Sequence, residues 1–300
     1  MPEAVIVSVA RSPIGRANKG SLKDFRPDDL TALIIQTALA KIPELDPKEI
    51  EDLYLGCGLP GGESGNNMGR IVAVMMGYDH LPGATITRYC SSSVQTSRMA
   101  FHAIKAGEGD VFISAGVETV SRFAKGTSDH WPDTQNPLFA EAKARTEKTA
   151  EGGQDWHDPR EDDKLPDAYI AMGQTAENVA RLRGLDRKEL DEFGVRSQNL
   201  AEKAINDGFW ANEITPVATP DGTVVSRDDG PRAGVTYEAI SELKPVFRPD
   251  GVVTAGNCCA LNDGAAAVVI MSDTKAKELG LTPLARIVST GVTGLSPEIM

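Results

Sequence analysis

Residues 84–107 read ATITRYCSSSVQTSRMAFHAIKAG, and the fold turns on how this stretch is parsed. Ala84 to Thr87 is a short β-like run. Cys90 sits at a join. Ser91, Ser92 and Ser93 follow it, and serine is a preferred residue where a helix begins. Beyond them Val94, Met99, Phe101 and Ile104 stand among small residues, which predicts a largely buried helix that stops at Gly107. A thiol at a strand-to-helix turn faces unpaired N–H groups and the positive end of the helix dipole. Both favour the thiolate, the nucleophilic form of cysteine, and the same N–H groups suit a developing oxyanion. On local pattern alone Cys90 reads either as a nucleophile or as a small packing residue.

Composition narrows the class. The apolar fraction of 41% and charged fraction of 25% are those of a globular chain, and 300 residues suffice for two domains or one large domain with an insertion. No apolar run approaches membrane-spanning length, and MPEAVIVSVARSP has no basic lead-in, so it reads as a first strand rather than a signal peptide. A net charge of −12 argues against nucleic acid as a partner. Any anionic ligand needs a local basic pocket. Cys57, Cys90, Cys258 and Cys259 show no zinc-site spacing, and free thiols in a reducing cytoplasm are the simplest reading.

Outward from the opening stretch, strands and helices alternate. Val5–Val9 is a strand. A helix follows with Asp28 as its expected cap and Leu30, Leu33, Ile34, Thr37, Ala38 and Lys41 as its stripe. Leu53–Gly56 reads as a parallel strand, Gly58–Gly65 as a loop, Met68–Met76 as a helix and Val111–Val117 as a buried strand. This predicts an α/β layered core. Residues 121–167, with Trp131, Phe139 and Trp156, lack periodicity and read as an excursion. Helices are expected at 171–183 and 187–207, and strand pieces at 213–217 and 224–225. A helix start is expected after Thr254–Asn257, a strand at 265–271, a helix at 273–280 and a strand from Arg286 to Thr293.

Several segments together resemble one family. VARSPIGRANKGSLKDFRPDDL, ITRYCSSSVQT, ISAGVETVS, MGQTAENVA, FGVRSQNLAEKAINDGFWANEITPV and LKPVFRPDGVVTAGNCCALNDGAAAVVIMS are similar, in that order, to segments of the thiolases. The resemblance implies a layered α/β fold: a βαβαβαββ half with an inserted loop domain, then the start of a second half. It divides the chain into residues 1–120 with 248–272, an insert at 121–247 that carries coenzyme A, and residues 273–300. It implies an acyl-CoA C-acyltransferase that works through an acyl-Cys90, with coenzyme A and acyl-CoA as substrates and no covalently bound cofactor or metal. Arg232 matches a position that stands against the adenine, where a guanidinium suits stacking and nearby phosphate. Met172, Phe247 and Ala255 match pantetheine-lining positions. Cys259 replaces a pantetheine-contacting serine, and a thiol is the weaker hydrogen bonder.

The Arg-x-Cys-Ser-Ser form points to degradative members, and Ala171 stands where biosynthetic members carry histidine. The family's Gly-His-Pro histidine, second catalytic cysteine and Asn-Glu-Ala-Phe loop do not occur in the 300 residues. His80, His102, His130 and His157 fit none of those motifs and read as surface or packing residues. The expectation is a chain whose remainder lies beyond Met300, inactive in acyl transfer without it. The alternative is a non-catalytic acyl-CoA or lipid-binding relative. The resemblance further implies a homodimer or homotetramer, with no nucleic acid and no membrane as partner.

Overall fold

The computed structural model describes residues 2–125 and 133–300. Trp131 and His130 lie outside them. In chain order the elements are β1 (Ala4–Arg11), β2 (Gly15–Arg16), α1 (Pro27–Ala40), β3 (Asp52–Gly56), α2 (Met68–Met75), β4 (Gly83–Ile86), α3 (Ser92–Ala106), β5 (Val111–Thr119), α4 (Ala140–Ala150), α5 (Met172–Arg183), α6 (Arg187–Asn206), β6 (Val217–Ala218), β7 (Val224–Val225), α7 (Tyr237–Ser241), β8 (Asn262–Ser272), α8 (Asp273–Glu278) and β9 (Ala285–Arg286). Short 3-10 turns punctuate them. Among the described residues no helix is long and apolar enough to cross a membrane.

The chain forms two compact units. The first comprises Met1–Asp129, Phe209–Gly230 and Leu261–Gly291. Its sheet runs β4-β3-β5-β8-β1-β9, with β2 paired to β8. β3 lies parallel to β4 and to β5, whereas β8 is antiparallel to β5 and to β1. Strand alternation divides the side chains between two faces. Leu53, Leu55, Val111, Ile113, Ala115, Ala267, Val269 and Met271 join α1 and α2 residues in the larger core. Tyr54, Phe112 and Ile270 pack with Ala100, Ala103 and Ile104 of α3 on the other face. The main-sheet order β1-α1-β3-α2-β4-α3-β5-β8 is the βαβαβαββ arrangement that the resemblance implied.

Several local expectations are corrected. Helix α1 starts at Pro27 with Arg26 as its cap, because a proline's fixed φ suits the first helical position. Asp28 instead lies in the first turn, gripped by Arg26 through Nε (3.0 Å) and Nη2 (2.7 Å). Helix α3 is not largely buried: one face, Ser92, Thr96, Ala100, Ala103 and Ile104, is buried, and Val94 is 71% exposed. Residues 121–167 contain a helix, α4, whose AEAKARTEKTA sequence has strong helix formers but buries only Ala142, so it leaves no apolar stripe. No helix follows Thr254–Asn257. The Asn257 side chain ties that segment into a turn by accepting from Thr254 N (2.8 Å) and donating to Val252 O (2.9 Å). Of the expected 213–217 piece only Val217 falls in a strand, Val217–Ala218, while Ile214 makes an isolated bridge to Arg11, and β9 ends at Arg286.

The unit boundaries also differ from the divisions expected from sequence. Residues 209–230 belong with the sheet, because Asp228 accepts from Arg11 Nη1 (2.9 Å) and Ile14 N (2.8 Å), and Asp229 accepts from Ser21 N (2.7 Å). The second unit, His130–Gly208, Pro231–Ala260 and Val292–Met300, takes residues 248–260.

Candidate active site

Cys90 lies in the 3-10 turn Tyr89–Ser91, between the end of β4 and the start of α3, and its side chain is exposed. The turn is held on every side. Asn67 fixes β4 by donating to Gly83 O (2.8 Å) and accepting from Thr85 N (2.9 Å). Ser92 Oγ closes the turn, accepting from Arg88 N (2.8 Å) and donating to Tyr89 O (2.6 Å). Tyr89 adopts φ 47°, the left-handed region that non-glycine residues avoid. A costly conformation immediately before a nucleophile candidate persists only where the surroundings over-determine it.

Two glycines let the start of α3 press onto the sheet. Gly56 and Gly116 are register partners on β3 and β5. A Cβ on Gly56 would lie 2.8 Å from the backbone of Ser92 and Ser93, and one on Gly116 would lie 1.8 Å from Ser93 Oγ. Farther along the helix, Ser114 Oγ bonds the hydroxyls of Thr96 (2.8 Å) and Ser97 (2.9 Å). The cap residue Ser91 makes no side-chain bond to the helix, so no side-chain cap consumes the first-turn amides.

Glu118 fixes the Cys57–Leu59 segment that neighbours the turn, a role the sequence did not reveal although Glu118 stands in the ISAGVETVS segment. Its carboxylate accepts from Gly58 N (2.8 Å) and Leu59 N (3.4 Å), and from the Cys57 thiol (3.6 Å). Thr87 Oγ1 donates to Gly58 O (2.9 Å), and a Cβ on Gly58 would meet both Glu118 and the Tyr89 backbone. Burial, with the Glu118 charge second, pushes the Cys57 thiol up to about 12. Cys57 is therefore an inert neighbour of an exposed thiol. All four cysteines are free, as expected.

The described histidines have local partners: His80 Nε2 with Pro47 O (3.1 Å), His102 Nε2 with Thr290 Oγ1 (3.4 Å), and His157 Nδ1 with Glu161 (3.6 Å).

The other candidate residues all belong to the second unit. Met172 opens α5 and is 54% exposed. Gly173 beside it has the Phe247 ring against its backbone: a Cβ there would lie 2.1 Å from Phe247 Cε1. Gln174 Nε2 adds a bond to Phe247 O (2.9 Å), so Met172 and Phe247 come together. Ala255 and Cys259 are exposed on either side of the Asn257 turn. Arg232 is exposed too, and its backbone N–H donates to Gln198 Oε1 (2.9 Å).

Helix α6 organises these last positions. Asp191 accepts from Asn257 Nδ2 (2.9 Å), Gln198 holds Arg232, and Glu202 accepts from Gly234 N (2.9 Å). Residues 191, 198 and 202 share one helical face, so the Ala255–Cys259 turn and Arg232 are spaced along it by two turns, about 10 Å.

The family model "Thiolase, N-terminal domain" matches residues 4–274. The chain belongs to the thiolase family. It is 38% identical to the 3-ketoacyl-CoA thiolase of Bacillus subtilis (strain 168), over 100% of this chain and 73% of that one. Among solved structures, the acetyl-CoA acetyltransferase of Bacillus anthracis superposes with TM-score 0.81 at 36% identity, covering 100% of this chain and 73% of its own. The dimeric peroxisomal thiolase of Saccharomyces cerevisiae gives TM-score 0.86 at 30% identity, covering 99% and 72%. As a thiolase, the chain is an enzyme of the acyl-CoA C-acyltransferase class.

Proposed function

We propose that Cys90 carries the acyl group of this thiolase. The observation that bears most weight is the exposed thiol on an over-determined turn at the start of α3. In the degradative direction the Cys90 thiolate attacks the 3-oxo carbon of a 3-oxoacyl-CoA. The C2–C3 bond breaks, the departing enolate takes up a proton as acetyl-CoA, and the acyl group stays on sulfur as a thioester. The thiolate of free coenzyme A then attacks that thioester and releases an acyl-CoA shortened by two carbons. Amides at the start of α3 are positioned to favour negative charge on sulfur or on the adding oxygen. The reverse sequence is a Claisen condensation.

Arg232, Met172, Phe247, Ala255 and Cys259 hold the coenzyme in this reading. The Met172–Phe247 pair suits the pantetheine, and the α6 face sets Arg232 apart from the Ala255–Cys259 turn for the adenine end. Coenzyme A enters as substrate, and the chain holds no covalent cofactor. The Arg-x-Cys-Ser-Ser form and Ala171 favour thiolysis in fatty-acid β-oxidation. Four unpaired thiols favour a cytoplasmic setting. A homo-oligomer, dimer or tetramer, is favoured by the dimeric yeast relative.

The test is mass spectrometry of the chain after incubation with acetyl-CoA and longer acyl-CoAs. The expected result is one acyl adduct, on the Cys90 peptide, absent in Cys90→Ala. An adduct confined to Cys258 or Cys259, or none with any acyl-CoA, overturns the assignment.

A further inference from the structure

The second unit contains a buried guanidinium that makes no ion pair among the described residues. Arg248 is 2% exposed. Its Nε donates to Gln174 Oε1 (2.8 Å), and its Nη2 donates to Asn178 Oδ1 (2.6 Å) and Gln174 O (3.3 Å). All these partners are neutral. Nη1 has no partner among the described residues. Neighbouring carboxylates are engaged elsewhere. Glu177 accepts from Val252 N (3.0 Å) and Val253 N (2.9 Å), and Glu298 accepts from Trp156 Nε1 (2.8 Å) and Asp167 N (2.7 Å).

A guanidinium stays protonated in a protein, and a buried charge without a counter-charge is strongly unfavourable. Burial accordingly holds Arg248 below its ordinary pKa.

Arg248 lines a cavity of about 270 Å³ that Trp156, Glu298 and Lys148 of α4 also line. The acids of the lining are spoken for: Glu298 as above, Asp155 by Arg181 (3.0 Å) and Asp162 by Lys164 (4.0 Å). Among the lining cations, Arg145 is paired with Glu141 (3.4 Å). Lys148 and Arg248 have no ion pair among the described residues. A cavity of this size admits a tetrahedral oxyanion with its waters. A guanidinium with an unpartnered Nη1 amino group is suited to recognise such an anion.

We propose that this cavity is an anion site that takes a phosphate-type oxyanion on Arg248 Nη1, with Lys148 as its second cation. The chemistry fits free phosphate or a phosphate group of coenzyme A. The site shares no residue with the positions assigned above to Cys90, the pantetheine or the adenine.

Calorimetric titration of the chain with inorganic phosphate at constant ionic strength tests it. The expected result is saturable binding that weakens about tenfold in Arg248→Lys, which keeps the charge but loses the planar group that Gln174 and Asn178 hold in place. It weakens about threefold in Lys148→Gln, an exposed position whose change leaves the fold intact. Added coenzyme A competes with phosphate if its own phosphate is the occupant, and leaves phosphate affinity unchanged if the free ion is. If Arg248→Lys does not fold, Lys148→Gln decides alone. No saturable phosphate binding, or unchanged affinity in the decisive variant, overturns the proposal.

Discussion

The two units of this thiolase are stabilised by different forces. In the first, Leu30, Ile34, Leu53, Leu55, Phe112, Ile113 and Ile270 are fully buried around a sheet. In the second, the buried apolar side chains among the described residues are few: Ala142, Ala180, Ile240 and Val253. Its interior includes Asp167, Gln174, Glu177, Asn178, Asp191, Arg248 and Glu298. Burial of apolar area is non-directional and tolerates variation in shape, whereas a buried polar group depends on each of its partners. The thiol therefore sits on an apolar scaffold that resists deformation. Of the positions assigned to the coenzyme, Arg232 and the Ala255–Cys259 turn sit on loops that hydrogen bonds to α6 hold, through Gln198 and Asp191.

The sharpest way to break this contrast is to compare equivalent losses. Leu55→Ala should destabilise the first unit by about 3–4 kcal/mol through lost transfer energy and a cavity. Denaturant unfolding with hydrogen exchange should show the loss in amides of β3 and β5. Asp191→Ala should cost about 2–3 kcal/mol, because Arg187 Nε (2.7 Å) and Asn257 Nδ2 (2.9 Å) both lose their acceptor. Exchange should then speed up at residues 252–257. Equal exchange there in the variant and the parent would show that the polar network does not hold the turn.

Gly56→Ala sharpens the contrast within the first unit. The added methyl meets backbone at 2.8 Å and should cost about 1–3 kcal/mol while moving the start of α3 off the sheet. Iodoacetamide labelling of Cys90 should change rate. An unchanged rate with reduced stability would mean that the turn does not need the close approach.

The smallest effect concerns pH. The folded Cys57 thiol is raised from about 9 to about 12, so its contribution to stability is full below pH 9 and is lost as pH rises towards 12. Cys57→Ala should flatten the fall in stability across that window, as followed by thermal unfolding at stepped pH. An identical slope would show that Cys57 is not the titrating group.

Much of the first unit was legible in the sequence. Continuous apolar runs located β1, β3, β5 and β8, and Cys90 followed by serines located the strand-to-helix join. The second unit was less legible. Helix α4 escaped because it presents no apolar stripe. The Asn257 turn was read as a helix start because small residues are ambiguous, and its side chain chose the turn. At the site, Glu118 gave no local signal, since its partners Gly58 and Leu59 are some 60 positions away.

By itself the sequence determined which segments become strands and helices in the apolar core and where a thiol meets a helix start, because periodicity and turn chemistry act over a few residues. Only the tertiary structure decided that Gly56 and Gly116 admit α3, that Glu118 fixes the segment neighbouring the Cys90 turn, and that Arg248 is buried without an ion pair among the described residues. Those outcomes depend on which distant groups meet in space, and a hydrogen bond or a steric contact leaves no periodic trace along the chain.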